Sequence, residues 1–180
     1  MRKELIRKSK LLSLVLRHDP AAIGLELDAN GWAKVDDLIA KAACAGTPIS
    51  PAELEEIVTT NEKKRFDLDA VNGRIRANQG HSVDVDVEIP EAVPPENLFH
   101  GTAVQNIGSI LEKGLLKQDR QHVHLSVDAE TARAVGSRHG KPTVLIVRSG
   151  EMHREGHRFH LSKNGVWLTD FVPPQFLSLL

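Results

Sequence analysis

KRFDLDAVNGRIRANQ, residues 64–79, decides the fold of the first half of the chain. Two runs of alternating character flank Asn72-Gly73, and both of those residues tolerate the positive φ that a two-residue hairpin turn demands. Such a closure sets Val71 opposite Arg74, and because side chains alternate between faces of a strand, that register sorts all of them. Phe66, Leu68, Ala70, Ile75 and Ala77 then share an apolar face, while Arg65, Asp67, Asp69, Arg74 and Arg76 share the other. Asp69 stands across from Arg76 and neutralises it. Arg65 stands across from Gly80, with no acid directly opposite.

Three helices are expected upstream. Leu5, Leu12, Val15 and Leu16 recur near helical spacing, with the bases on the other side, and the helix ends at Arg17-His18-Asp19 because Pro20 pushes its predecessor out of the helical region. A second follows Trp32 to Val35 and runs through Asp36, Asp37, Leu38 and Ile39 toward Cys44. The third starts at Ser50, with Pro51 in its first turn and Glu53 completing a capping box, and ends near Thr60. Three helices followed by a hairpin is the order of a winged-helix lobe, a frequent nucleic-acid scaffold, although fold order by itself proves no function.

Downstream, SVDVDVEIPEAVPPEN (residues 82–97) carries five acids and no base; its valines and acids alternate as in one short strand, and Pro90, Pro94 and Pro95 interrupt anything longer. It is read as a junction between a lobe of residues 1–82 and one of residues 98–180. The second lobe has strands at Leu98–His100, His122–Leu125, Thr143–Val147 (a central strand), Phe159–Leu161 and Val166–Leu168. Helices fall at Val104–Lys113 and Ala129–Val135. The fold class expected for the whole is α+β, the second lobe being mostly antiparallel.

The 180-residue chain is 41% apolar and 26% charged, which excludes disorder and a collagen-like repeat and fits one sizeable domain or two small lobes. A chain of this size buries roughly 70% of its unfolded surface and needs no disulfide or metal staple. Cys44, the single cysteine, is expected to be a packed core thiol. No apolar run approaches the ~20 residues of a bilayer span, and no secretion leader is evident, so the expectation is a cytoplasmic protein without a membrane partner. Net charge of −1 excludes a generally basic coat but leaves a local patch: residues 1–18 hold six bases (Arg2, Lys3, Arg7, Lys8, Lys10, Arg17) against Glu4.

The missing signatures narrow the chemistry further. Neither a Walker A loop nor G-x-G-x-x-G between strand and helix is present, and a chain without tyrosine offers a poor base-stacking platform, so nucleic acid is expected to be held by its phosphates. His122 with His124, or His153 with His157, are pairs a metal can use, but neither comes with a third ligand in zinc spacing, and no metal is expected. Arg17-His18 at a helix end has a plain reading as cations complementing the helix dipole. Together with Arg65 and the basic first helix it also resembles a forked-donor site for a phosphate dianion. Spacing alone does not bring Arg120 to the others.

Several strings extend this picture: Ser9-Lys10, Leu12-Ser13, Leu16-Arg17-His18, Lys64-Arg65-Phe66, Ile75 to Ser82 (IRANQGHS), Phe99-His100-Gly101-Thr102, His122 to Ser126 (HVHLS), Gly140-Lys141-Pro142, Asn164 to Thr169 (NGVWLT) and Val172-Pro173-Pro174. In this order, over nearly the whole chain, they resemble the NAD-dependent RNA 2'-phosphotransferases. Phe99 stands where that family often has Tyr, and the adjacent His-Gly-Thr is intact.

The resemblance implies an N-terminal winged-helix RNA lobe and a C-terminal lobe of the ADP-ribosyltransferase type. It implies NAD consumed as a substrate and 2'-phosphorylated RNA, in particular tRNA, as the partner; the chain itself is expected to be a monomer. Carried over residue by residue, the family's basic tetrad falls on Arg17, His18, Arg65 and Arg120. His100, Gly101 and Thr102 would bind NAD, the glycine admitting the ligand closely; His124 and Val166 match a His-His-apolar signature, with Ser126 on the face of His124. Arg138 is a further dinucleotide candidate, with an exposed loop charge as the alternative. Two rival functions remain: an ADP-ribosyltransferase that caps terminal nucleic-acid phosphates, and a winged-helix regulator that binds without turnover.

Overall fold

The computed structural model describes residues 3–61 and 63–180, so Arg2 of the basic N-terminal set lies outside the described residues. The chain divides into two compact units, Met1–Glu88 and Ile89–Leu180. Among the described residues the whole is mixed α+β, with six α-helices and four small antiparallel sheets.

In the first unit, helix α1 (Lys3–Val15) is followed by β1 (Ala33–Lys34), α2 (Val35–Cys44), α3 (Pro51–Thr60), β2 (Phe66–Asp69) and β3 (Arg74–Ala77). The strands form one sheet in the order β1-β3-β2. Leu5, Leu12, Leu16, Leu38, Leu54, Ile57, Phe66 and Ile75 meet in its core, each such side chain stabilising by about 2 kcal/mol on leaving water. As expected, α1 gives way before Pro20: the N–H groups of His18 and Asp19 both donate to the Leu14 carbonyl, at 2.8 and 2.9 Å. Asp19 then caps a short 3-10 turn over Pro20–Ile23 by accepting from the Ala22 N–H at 3.0 Å.

Four expectations are corrected here. The hairpin closes through four residues rather than two, because the Asp69 carboxylate gathers the Asn72 N–H and side-chain amide at 3.1 and 2.8 Å and Arg74 Nε at 2.9 Å. Asp69 therefore pairs with Arg74 and Asp67 with Arg76, while Arg65 lies across from Asn78, whose N–H donates to its carbonyl at 2.9 Å. A slip of two residues keeps every remaining side chain on its face, but Ala70 passes into the exposed turn. Secondly, Lys8 points inward and is 5% exposed, paired at 2.6 Å with Glu53 of α3. Thirdly, Cys44 is exposed rather than packed in the core. Residues 83–90 form no strand; Asp86 instead bonds back to Ala29, Asn30 and Glu88.

The second unit contains β4 (Leu98–Ala103), α4 (Ile107–Lys113), β5 (Leu115–Leu116), β6 (Val123–Leu125), α5 (Ala129–Gly136), β7 (Pro142–Val147), α6 (Ser149–Arg154), β8 (His160–Leu161), β9 (Trp167–Thr169), β10 (Phe171–Val172) and β11 (Leu177–Leu179). They build sheets in the orders β11-β7-β4, β6-β9-β8 and β10-β5. β7 is central, as its unbroken apolar run requires. Leu98, Leu125, Leu145, Val147, Met152, Phe159 and Phe176 belong to its core.

Glu53 serves two elements at once. It completes the α3 capping box with Ser50 and accepts the Lys8 ammonium; Lys8 first, then the Ser50 N–H, lowers its carboxyl from 4.5 to about 2. The folded value lies below the ordinary one, so this stabilisation is full above pH 4.5 and is lost as pH falls toward about 2. Glu53→Gln keeps an acceptor for Ser50 and loses the charge. It is predicted to lower the Tm at pH 7 and to make the decline of Tm between pH 4.5 and 2 shallower than in the parent, as read by thermal melts across that range.

Candidate functional site

In the first unit, Arg17 and His18 occupy the turn that ends α1. The Arg17 carbonyl accepts two successive N–H groups, from Ser82 at 2.9 Å and Val83 at 3.3 Å, and Ser82 Oγ lies 3.0 Å from His18 Nδ1. Residues 81–83 thus strap the turn from outside the helix.

Arg65 stands at the open end of the β2–β3 hairpin. Two asparagines brace it: Asn61 Oδ1, just past α3, accepts from Arg65 Nη1 at 3.3 Å and from the Lys63 N–H at 3.1 Å, while the Asn78 amide donates to the Lys64 carbonyl at 2.6 Å. Lys64 itself takes a positive φ of 40° to reach this geometry. The strand that pairs with Arg65 at Asn78 continues directly to the strap on Arg17-His18, so one short segment holds both cation-bearing loops. By contrast, Arg74 and Arg76 are turned to structural use. Each guanidinium carbon lies 4.4 Å from the centre of the Trp32 ring, and Asp69 and Asp67 pair with them.

His81 is 1% exposed within this strap. Burial foremost, then the positive charge of Arg17, His18 and Arg76, pushes its imidazole from 6.5 down to about 4. It is therefore neutral at pH 7, since burial and the positive charge of the neighbouring arginines both oppose its protonation.

In the second unit, a two-way backbone pair between Phe99 and Ser126, at 2.9 and 2.8 Å, ties β4 to the end of β6. This brings together His100, His124 and Ser126. His100 Nδ1 lies 3.1 Å from the His124 carbonyl and His124 Nδ1 lies 3.0 Å from the His122 carbonyl. Because a carbonyl only accepts, both rings must carry a proton on Nδ1, and each neutral ring offers Nε2 as an acceptor. In the neutral form Nε2 suits hydroxyl or amino donors.

Thr102 is buried, and its Oγ1 accepts from the Asn106 amide at 3.2 Å. Arg138 lies on the 3-10 turn Ser137–His139, exposed. Arg120 is an exposed residue of the loop before β6, its N–H donating to the Lys117 carbonyl at 3.1 Å. The structure thus gathers Arg17 with His18, and His100 with His124 and Ser126, within their own units.

Gly101 has a different reason from the one expected. A Cβ built there would lie 1.6 Å from the Ala132 carbonyl oxygen of α5, and one on Gly136 would lie 2.8 Å from the Thr102 nitrogen. Two glycines let helix and strand touch backbone to backbone, so the missing side chain of Gly101 makes room for α5 rather than for a ligand.

Among the described residues no three His, Cys, Asp or Glu side chains gather as a metal site, and His157 lies beyond the end of α6 instead of one turn along it from His153. No helix there is long and apolar enough to cross a membrane. Asn61, Asn78, His81, Ser82 and Asn106 were missed as candidates. The string from Ile75 to Ser82 contained three of them, yet strand alternation says nothing about residues beyond the ladder.

Two predictions follow from these packing details. Gly101→Ala forces backbone against backbone and is expected to destabilise by about 3 kcal/mol or more, at the upper end of overpacking penalties, as read by urea denaturation. His81 titrates at 6.5 when unfolded and about 4 when folded, so its stabilising share is complete above pH 6.5 and disappears as pH falls through about 4. His81→Gln should remove that share of the pH dependence of Tm between pH 6.5 and 4.

Comparison with known proteins places these residues in context. The family model described as RNA 2'-phosphotransferase, Tpt1 / KptA family, matches residues 3–171. The chain is 54% identical over 180 residues to a probable RNA 2'-phosphotransferase of Hahella chejuensis, covering 100% of this chain and 97% of that one. It is 56% identical over 171 residues to a protein of the same description from Agrobacterium fabrum (95% and 92% covered), and 50% over 174 residues to one from Nostoc punctiforme (97% and 96%).

Proposed function

The chain belongs to the RNA 2'-phosphotransferase, Tpt1 / KptA family, and from that premise we propose that it clears an internal 2'-phosphate from RNA, in particular tRNA, by transferring it to NAD. The observation that carries the reading is the Arg17-His18 turn held by the same segment that braces Arg65. Three helices followed by the hairpin sheet support a winged-helix reading of the first unit. The His100, His124 and Ser126 group supports an ADP-ribosyltransferase-type reading of the second.

The chemistry runs in two displacements. An oxygen of the RNA 2'-phosphate attacks C1'' of the nicotinamide ribose, and the C–N bond breaks with its electron pair leaving on nicotinamide. The ribose 2''-hydroxyl then attacks the same phosphorus, losing its proton as the RNA 2'-oxygen departs and gains one. The products are 2'-hydroxyl RNA, ADP-ribose 1'',2''-cyclic phosphate and nicotinamide.

In the first displacement the nucleophile is already an anion, so the protein's work is to align it with an electron-poor carbon. In the second, charge grows on phosphoryl oxygens, where the guanidinium forks of Arg17 and Arg65 stabilise it, with Arg120 carried over from the family pattern as a further cation. His18 is the one member of the set able to move a proton near neutral pH. His100 and His124, as Nε2 acceptors, suit ribose hydroxyls and the carboxamide of NAD. Thr102 and Arg138 complete the dinucleotide set, and Gly101 serves it indirectly, by keeping β4 against α5.

Incubation with NAD and an internally 2'-phosphorylated oligonucleotide is expected to yield the three products in equal amounts. ADP-ribose retained on the RNA would favour terminal-phosphate capping, and binding of either substrate without turnover would favour a regulator. Arg17→Ala and Arg65→Ala should each lower kcat at least about 100-fold, with Tm nearly unchanged. Arg120→Ala should slow the second displacement more than the first, so that an RNA-linked ADP-ribose species accumulates in single-turnover gels.

A further inference from the structure

The hairpin exit returns to the Arg17-His18 turn with one side chain that the chemistry above leaves unused. Gly80, at φ +86°, turns the chain after β3. His81 then buries its ring against Gly31, where an added Cβ would meet its Nε2 at 3.6 Å. Ser82 comes to rest on the turn: its N–H donates to Arg17, the next N–H does the same, and its hydroxyl lies 3.0 Å from His18 Nδ1. The buried neighbour and the two backbone bonds fix where that hydroxyl stands.

A hydroxyl both donates and accepts, and this suits a ring that changes its proton. It accepts from Nδ1–H in the imidazolium and in one neutral tautomer, and it donates to Nδ1 in the other. The ring keeps its partner in all three states. The carbonyls facing His100 and His124 have no such latitude, since they bond only the Nδ1–H forms.

We propose that Ser82 is the positioning residue of His18, its hydroxyl holding the imidazole in one orientation while Nε2 gains and loses a proton at the reacting phosphate. The proposal rests on the placement of His18 at that phosphate. In the second displacement Nε2 takes the proton released by the 2''-hydroxyl as the new O–P bond forms. It returns a proton to the RNA 2'-oxygen as the old bond breaks, so His18 ends as it began. Ser82 and His18 are both exposed, so the contact orients the ring and adds little to folding.

The test compares Ser82→Ala, Ser82→Thr, His18→Ala and the double variant Ser82→Ala with His18→Ala, using NAD and a 2'-phosphorylated oligonucleotide. Ser82→Ala is expected to lower kcat about tenfold, with KM for both substrates within about twofold and Tm retained. Ser82→Thr, which keeps a hydroxyl, should restore most of that rate. In the His18→Ala background, followed at high enzyme concentration, the serine change should have no further effect, because its influence passes through the ring. Three results overturn the proposal while leaving His18 in place: unaltered kcat in Ser82→Ala, an equal loss in the His18→Ala background, or a fall in Tm that threonine does not restore. Near-normal turnover by His18→Ala overturns the site assignment itself.

Discussion

The Arg17 carbonyl lies where α1 runs out of its own amide donors, and a helix end in that position has to find partners elsewhere. Ser82 and Val83 supply both. That one oxygen ties the helix end to the exit of a hairpin far along the chain. The closure entropy of so long a loop is already met by the core of Leu12, Leu16, Phe66 and Ile75 beneath it. Once the strap is tied, the neighbours of Arg17 are determined: His18 meets Ser82, and His81 is driven inside. The neutrality of His81 is then a consequence of position, since burial beside Arg17 and Arg76 leaves its protonated form unfavourable.

The second unit reaches a similar rigidity by another route. Its candidate histidines sit on two strands from different sheets, and the two-way Phe99–Ser126 pair sets the relation between them. Behind β4 the paired glycines, Gly101 and Gly136, bring α5 to backbone contact. A site built on strand backbone with a helix pressed behind it holds its side chains more closely than a loop does.

Much of this was legible in the residues. Ser50, Pro51 and Glu53 announced α3 because capping is a local hydrogen-bond pattern. The two faces of the hairpin were also correct apart from Ala70, since a slip of two residues preserves alternation within the ladder. The pairing partners were not, because the competing closure depends on Asp69 gathering Asn72 and Arg74, a side-chain choice that turn propensity does not encode. Lys8 escaped for a related reason: periodicity assigns a lysine to solvent, and only Glu53 arriving from another helix makes the inward position tolerable. Cys44 failed in the opposite direction, an apolar spacing at the end of α2 that the fold leaves uncovered. Helix α6 and strands β5, β10 and β11 are too short to show a period at all.

The orienting groups differ between the cations proposed to meet phosphate and those turned to structural use. Arg74 and Arg76 pair with Asp69 and Asp67 and lie over Trp32; Arg65 donates to the Asn61 side-chain oxygen, and His18 Nδ1 meets the Ser82 hydroxyl. A carboxylate would aim them equally well. It would also stand within a few ångströms of an incoming dianion, where each like-charge pair opposes binding by about 4 kcal/mol at 4 Å and an effective dielectric constant of 20. It would raise the histidine pKa as well, favouring the charged ring and weakening its capacity to take up a proton. A neutral partner fixes direction without cancelling charge. For a site proposed to hold a doubly charged phosphate and then pass a proton beside it, amides and hydroxyls are orienting groups that serve both demands.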